Sequence, residues 1–167
     1  MSVTYFQEHI LPIKDNLYRF AHRILKNTME AEDVVQEVLL KIWQKRESWQ
    51  EVQNIEALAM KMTKNLALDK FKSKHFQTNG LPDYADWRDE AAQPDEITES
   101  SDLISLIRQI MNNLPEKHRS VMHLRDIEGL SYEEISEILE MPMSQLKINL
   151  FRARQSIRAQ LIKRQIA

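Results

Sequence analysis

Five side chains at helical spacing, Ser144, Gln145, Ile148, Asn149 and Arg152, have the chemistry to read the edges of DNA bases. On a helix whose apolar stripe is Leu146, Leu150, Ala153, Ile157 and Leu161, all five are expected to face away from Leu146 and Leu150. Gln145 and Asn149 carry the paired donor and acceptor that match adenine, and Arg152 suits guanine or a phosphate. Ile148 could meet a thymine methyl, or equally rest on a neighbouring protein element. Lys147, Arg154 and Arg158 suit phosphates, which supply affinity without sequence information. Between Met141 and Arg164 there are six basic residues and no acidic one.

Such a helix needs a neighbour to aim it. Ser131 followed by Glu134 is a capping box, with Tyr132, Ile135, Ile138 and Leu139 at helical spacing behind it. Met141-Pro142 stops that first helix, and the basic helix follows at once. A short helix, a tight turn and an acid-free basic helix fit a helix-turn-helix whose second member enters a major groove. A helical hairpin with a solvated cationic face is the plainer alternative.

Two further groups stand apart. In Asp33 to Trp43, placing Val34, Val35, Val38, Leu39 and Ile42 inward leaves Asp33, Gln36, Glu37 and Lys41 outward. By itself that pattern describes an ordinary solvated face. A later helix carries Lys61, Lys64, Lys70, Lys72 and Lys74 against the single acid Asp69. At about 100° per residue, Lys61, Asn65 and Lys72 cluster near Lys64. A basic ridge with an Asn able to reach a base edge suits nucleic acid, although a lysine-rich soluble helix looks the same. Just before it, Ser48 to Asn54 forms a polar loop containing Trp49, where an unpaired base could stack or be hydrogen-bonded.

Composition narrows the classes. Only Gly80 and Gly129 are glycine, which argues against phosphate-cradling loops, and there is no cysteine for disulfides or thiolate metal sites. The five histidines show no metal-ligand spacing and no catalytic constellation stands out, so neither cofactor nor metal is expected. No apolar run approaches the roughly 20 residues of a membrane span. The N-terminus lacks a cationic stretch before an apolar core, so no signal peptide and a cytoplasmic location are expected. The net charge of −2 hides a segregation: residues 1–76 carry +2, residues 77–101 carry −6 and residues 102–167 carry +2.

The elements follow that division. A short segment spans Val3 to Ile10 before Pro12, then helices carry Ile13, Leu17, Phe20, Ala21 and Ile24, and Glu30 to Lys45. A third runs from Ile55 to Lys74 with Ile55, Leu58, Ala59, Met62 and Leu66 expected on its inner face. Residues 77–101, with Gly80, Pro82 and Pro94, read as a flexible acidic linker in which Tyr84 and Trp87 are anomalies. Beyond it come Asp102 to Asn113, a helix with Pro115 at its first position, and the two helices described above. The expected fold is all-α, with two small helical domains at 1–76 and 102–167.

Several of these motifs in this order resemble one family. Leu17-Tyr18-Arg19-Phe20-Ala21, Glu30 to Val38 and Asn65-Leu66-Ala67-Leu68-Asp69 resemble the region-two domain of the extracytoplasmic-function (ECF) sigma factors of bacterial RNA polymerase. Leu114-Pro115-Glu116-Lys117, Gly129 to Ile135 and Phe151-Arg152-Ala153-Arg154 are similar to their region-four domain. The resemblance implies a protein that directs core polymerase to promoters and aids strand opening without catalysing a reaction itself. It implies that Asp33, Gln36, Glu37 and Lys41 meet the coiled coil of the largest polymerase subunit, and that region four meets the flap. Trp49, Asn54, Lys61, Lys64, Asn65 and Lys72 would serve the minus-ten element. Ser144, Gln145, Lys147, Ile148, Asn149, Arg152 and Arg154 would serve the minus-thirty-five element. Many members are held by an anti-sigma factor, which makes one a candidate partner.

This chain departs from the family pattern at three places: Leu58 where an aromatic is usual, Glu140 where Gly is frequent, and Pro142 where a Ser-type cap commonly opens the recognition helix. A DNA-binding output domain of the response-regulator type would explain the second half but not Asp33 to Trp43. A helical adaptor with no nucleic-acid role is a further alternative.

Overall fold

The computed structural model describes residues 2–49, 51–79 and 99–166, with the side chains of 75–79, 99–101 and 165–166 left aside. Every regular element among the described residues is helical, and the chain divides into two compact units. Most of the expected linker, including Tyr84 and Trp87, lies outside the described residues.

The first unit opens with α1 (Val3–Tyr5), capped by Ser2, whose hydroxyl accepts from the Tyr5 N–H at 3.1 Å. A π-turn at Phe6–Ile10 and a 3-10 turn at Leu11–Ile13 carry the chain past Pro12 into α2 (Lys14–Leu25). Pro12 does not break the path because it sits at the start of its turn, where no N–H is needed. Lys26 closes α2 in the left-handed region at φ 53°, and its N–H returns to the His22 carbonyl. Asn27 then caps α3 (Thr28–Gln44) by accepting from the Glu30 N–H at 3.0 Å. Helix α4 (Ile55–Asn79) packs against both α2 and α3. Leu17, Phe20, Val34, Val38, Ile42 and Met60 are sealed in the core.

Of the expected inner face of α4, Ile55 and Ala59 are buried, but the centre of the buried face is rotated from Leu58, Met62 and Leu66 by a fraction of a turn. Its buried stripe is Ala57, Met60, Lys64, Ala67 and Phe71, while Leu58, Met62 and Leu66 are only half-buried. Small residues allow backbones to approach closely, so the tightest contact lies along the alanines rather than along the bulkiest apolar side chains. The helix also continues through residues 77–79, and α5 (Glu99–Asn112) starts at 99, so helix occupies both ends of the expected linker.

In the second unit, α6 (Glu116–Met122) begins after Pro115, which is its extended N-cap rather than its first helical residue. It passes into a π-turn at His123–Ile127. Gly129, at φ +71°, turns the chain toward α7 (Tyr132–Leu139). The capping box forms reciprocally: the Glu134 N–H donates to Ser131 Oγ at 3.1 Å, and the Ser131 N–H donates to Glu134 Oε2 at 2.9 Å. Helix α7 ends at Glu140, whose φ of 51° lets the Met141 N–H reach the Ser136 carbonyl at 3.1 Å. Helix α8 (Met143–Ile166) follows directly, and α6 and α5 pack against it. Ile110, Val121, Leu124, Ile135, Leu146 and Ala153 form this unit's core.

Candidate polymerase and nucleic-acid interfaces

Helix α3 separates cleanly into two faces. Val34, Val35, Val38 and Ile42 are buried, while Asp33, Gln36 and Glu37 are exposed and Lys41 is half-exposed beside them. These four polar side chains share one outward stripe, with Leu40 exposed among them. Glu37 pairs with Lys41 at 3.1 Å, one turn on. Two lysines of α4 lean on the acidic edge: Lys70 lies 3.7 Å from Asp33 and Lys74 lies 3.4 Å from Glu30. Leu39, expected inward, is only half-buried.

On α4, Asn65 and Lys72 are exposed and Lys61 is half-exposed, within an arc of about 40°. Lys64 is the exception: it is buried within the α4 stripe that packs on the core, so it does not stand on that ridge. Leu58 and Met62, half-buried, border the ridge on its other side. Asn54 has structural work in this unit, because its Oδ1 accepts from the Ala57 N–H at 2.9 Å and caps α4. Trp49 is half-buried in the preceding turns, and its indole Nε1 is enclosed without a hydrogen-bond partner.

On α8, Ser144, Gln145, Lys147, Ile148, Arg152 and Arg154 are exposed. Asn149 corrects the helical projection. It is buried, and its amide points at the Met141 sulfur at 3.3 Å. Helix α8 is enclosed by more than one neighbour, which widens its buried arc beyond the stripe of large apolar residues. Arg154 is also differently engaged from the expectation: its Nε and Nη2 donate to the Asp126 carboxylate at 3.1 and 2.5 Å. That bond raises its already high pKa. Lys147 lies 5.9 Å from the Tyr132 ring, on whose face the Arg125 guanidinium sits at 4.5 Å. His118 is held below the ordinary histidine range, first by burial and then by Arg152.

Sequence reasoning passed over Phe151 as a surface group. It is 66% exposed, next to Ile148 on the outward face of α8. Its position about 140° from Leu146 was the available signal. Among the described residues no group of three or more metal-ligating side chains converges, and no helix is long and apolar enough to cross a membrane.

Comparison with known proteins supplies the lineage. Residues 12–76 match the Sigma-70 region 2 model and residues 104–157 match Sigma-70, region 4. The ECF RNA polymerase sigma factor SigW of Bacillus subtilis is 30% identical over 157 residues, covering 89% of this chain and 84% of the relative. The chain belongs to the ECF sigma factors. SigE of Mycolicibacterium smegmatis is 32% identical over 151 residues, and there the match spans 58% of the relative's length. The fold matches the sigma factor RpoE solved with the anti-sigma factor NepR from Bartonella quintana. That match has a TM-score of 0.73 at 22% identity and covers 95% of this chain and 98% of that one. CnrH, solved with the cytosolic domain of CnrY, gives a TM-score of 0.69 at 15% identity over 97% of this chain and 90% of that one. As an ECF sigma factor, this protein directs RNA polymerase to promoters for transcription initiation. The response-regulator and adaptor alternatives fall away, because neither accounts for a region-two match over residues 12–76.

Proposed function

We propose a division of labour between the two units, with residues 1–76 gripping polymerase and opening DNA while residues 102–167 dock on duplex upstream. The observation that supports it best is the separation of α3 into a buried valine face and an outward stripe of Asp33, Gln36, Glu37 and Lys41. In this reading that stripe meets the coiled coil of the largest polymerase subunit. Lys61, Asn65 and Lys72 face the minus-ten element, with Trp49 receiving an extruded base and Asn54 holding the helix start that frames it. Lys64 supports that ridge from beneath. Extruding a base costs a few kcal/mol, least at easily unstacked steps, so melting and sequence choice are one energetic event.

On the second unit, Ser144, Gln145, Ile148 and Arg152 face base edges of the minus-thirty-five element and Lys147 tracks phosphates. Asn149 instead fixes the turn through Met141. The flap of polymerase is the second protein contact. An anti-sigma factor is a candidate partner, as RpoE was solved with the anti-sigma factor NepR. The protein acts in the cytoplasm and catalyses no reaction of its own, since the polymerase supplies the chemistry.

Run-off transcription with purified core polymerase on a randomised promoter library tests the proposal. Enrichment of two conserved elements, dependent on this protein, is the expected result. Absence of both core association and initiation on every template would overturn it.

A further inference from the structure

Arg154 stands on the recognition helix among phosphate-seeking cations, yet its guanidinium is already spoken for. Two N–H groups grip the Asp126 carboxylate in a fork, across 28 residues of sequence. A two-bond fork fixes direction as well as distance, which a single ion pair does not.

Asp126 is positioned by its turn, and the pair is half-exposed, with the Asp126 side chain 30% and the Arg154 side chain 49% accessible. It lies in the π-turn His123–Ile127, whose wider loop is closed by the Glu128 N–H reaching the His123 carbonyl at 3.0 Å. His123 Nε2 and Glu128 Oε1 lie 3.2 Å apart beneath the turn, with side chains 4% and 1% exposed. On the other flank Arg125 donates to the Leu130 carbonyl at 2.8 Å and covers the Tyr132 ring. The extra residue of a π-turn re-aims the side chains that follow, and such turns concentrate at functional places.

The remaining contacts of α8 within its unit are chiefly apolar, through Leu146, Leu150, Ala153 and Ile157. Apolar packing resists separation but specifies rotation about the helix axis less sharply than a directional fork. A rotation of about 20° at a side-chain radius of about 5–6 Å displaces a base-reading group by roughly 2 Å. That exceeds what a hydrogen bond tolerates.

We propose that Arg154 is a positioning residue rather than a phosphate ligand: its fork with Asp126 sets the rotation of α8 and so decides which side chains meet the bases. The inference rests on the reading of α8 as the minus-thirty-five reader. The two roles differ in sign. If Arg154 held a phosphate, neutralising Asp126 would release a cation and tighten DNA binding. In the positioning role the same change weakens specific binding alone.

The test uses the full chain assembled with core polymerase, titrated with the upstream duplex recovered from the promoter selection and with a scrambled duplex, across a salt series. Asp126→Asn and Arg154→Ala should each weaken the selected duplex about fivefold, leave the scrambled duplex unchanged, and combine to little more than one alone. Arg154→Lys, which would keep a phosphate contact but loses the fork, should lose most of the same affinity. The exchange Asp126→Arg with Arg154→Asp should recover part of it. The salt slope should stay at its original value in Arg154→Ala, where loss of a phosphate contact would reduce it by about 0.9. Tighter binding by Asp126→Asn, equal loss on both duplexes, or a reduced slope overturns the inference. Gln145→Ala separates the two levels. If it relaxes one base position while Asp126→Asn is silent, only the positioning role falls; if neither matters, the reading of α8 falls and the inference with it. Thermal melts keep folding losses apart from these effects.

Discussion

Reversing the charge at Glu37 separates adhesion from folding, because the structure bounds what the fold can lose. Glu37 and Lys41 lie 3.1 Å apart one turn along α3, with side chains 47% and 44% exposed. An exposed pair of this spacing contributes about 0.3–0.5 kcal/mol after screening. Glu37→Lys removes that and sets two lysines at i,i+4, adding about 0.2–0.5 kcal/mol of repulsion. Helix propensity barely changes, since Glu and Lys are close on that scale. The total is about 0.5–1 kcal/mol, or roughly 2–8 °C in the melting of a unit this size. At a polymerase interface, removing one partner of a buried hydrogen-bonded charge pair costs about 2–5 kcal/mol. That corresponds to a loss of about 30-fold or more in core affinity. Competition between labelled wild-type protein and unlabelled variant for limiting core polymerase measures it, with calorimetry on the free variant beside it. Core affinity within threefold of wild type would refute the assignment of this face. A melting drop well beyond 8 °C would refute the ledger, because the loss would then belong to the fold.

Four shorter expectations follow from the second unit. Glu140 sits at φ 51°; Glu140→Gly relieves about 1 kcal/mol of left-handed strain and gives back about half through a freer unfolded chain. Calorimetry should show that unit's transition rising by about 2–4 °C. Asn149→Ala should destabilise by about 1 kcal/mol, as a buried polar group is lost, while leaving promoter preference intact. Gln145→Ala should instead relax one base position by about 1–3 kcal/mol in selection or competition binding. His118 is held below the ordinary value of 6.5 by burial and by Arg152. The unfolded chain therefore takes up its proton first as pH falls, so this contribution is complete above about 6.5 and is lost through the folded pKa below it. Chemical denaturation across that range should show a flatter pH profile for His118→Gln.

The legible parts of this molecule were those governed by neighbours in sequence. The capping box at Ser131 and Glu134 and the valine face of α3 depend on residues three or four apart, so periodicity finds them, whereas α7 ends at the left-handed Glu140 rather than at Pro142. What escaped depends on partners far along the chain or on how closely backbones approach. Lys64 and Asn149 looked outward because projection weighs large apolar residues, whereas α4 packs along its alanines and α8 is enclosed by several neighbours. From sequence Arg154 suits a phosphate, because Asp126 is 28 residues away and its aim depends on a π-turn that no 3.6-residue pattern reveals. Asn54, placed by sequence in the minus-ten loop, also caps α4, which an Asn one residue before a helix ordinarily does. Phe151 belongs to the Phe151-Arg152-Ala153-Arg154 motif, yet the same wheel that places Ile148 outward also places Phe151 outward.

Helix α8 runs without interruption from Met143 to Ile166, some 24 residues and about 36 Å of stiff rod. Its leading end bears the side chains proposed to read bases, while Ile162, Lys163 and Arg164 stand exposed near the trailing end. Such a rod behaves as a lever. A tilt of about 5° applied at one tip swings the other by roughly 3 Å over that span. In the proposed reading of α8, a load on the trailing tip reaches the promoter-facing end through the rod itself, with no relay of intermediate side chains required.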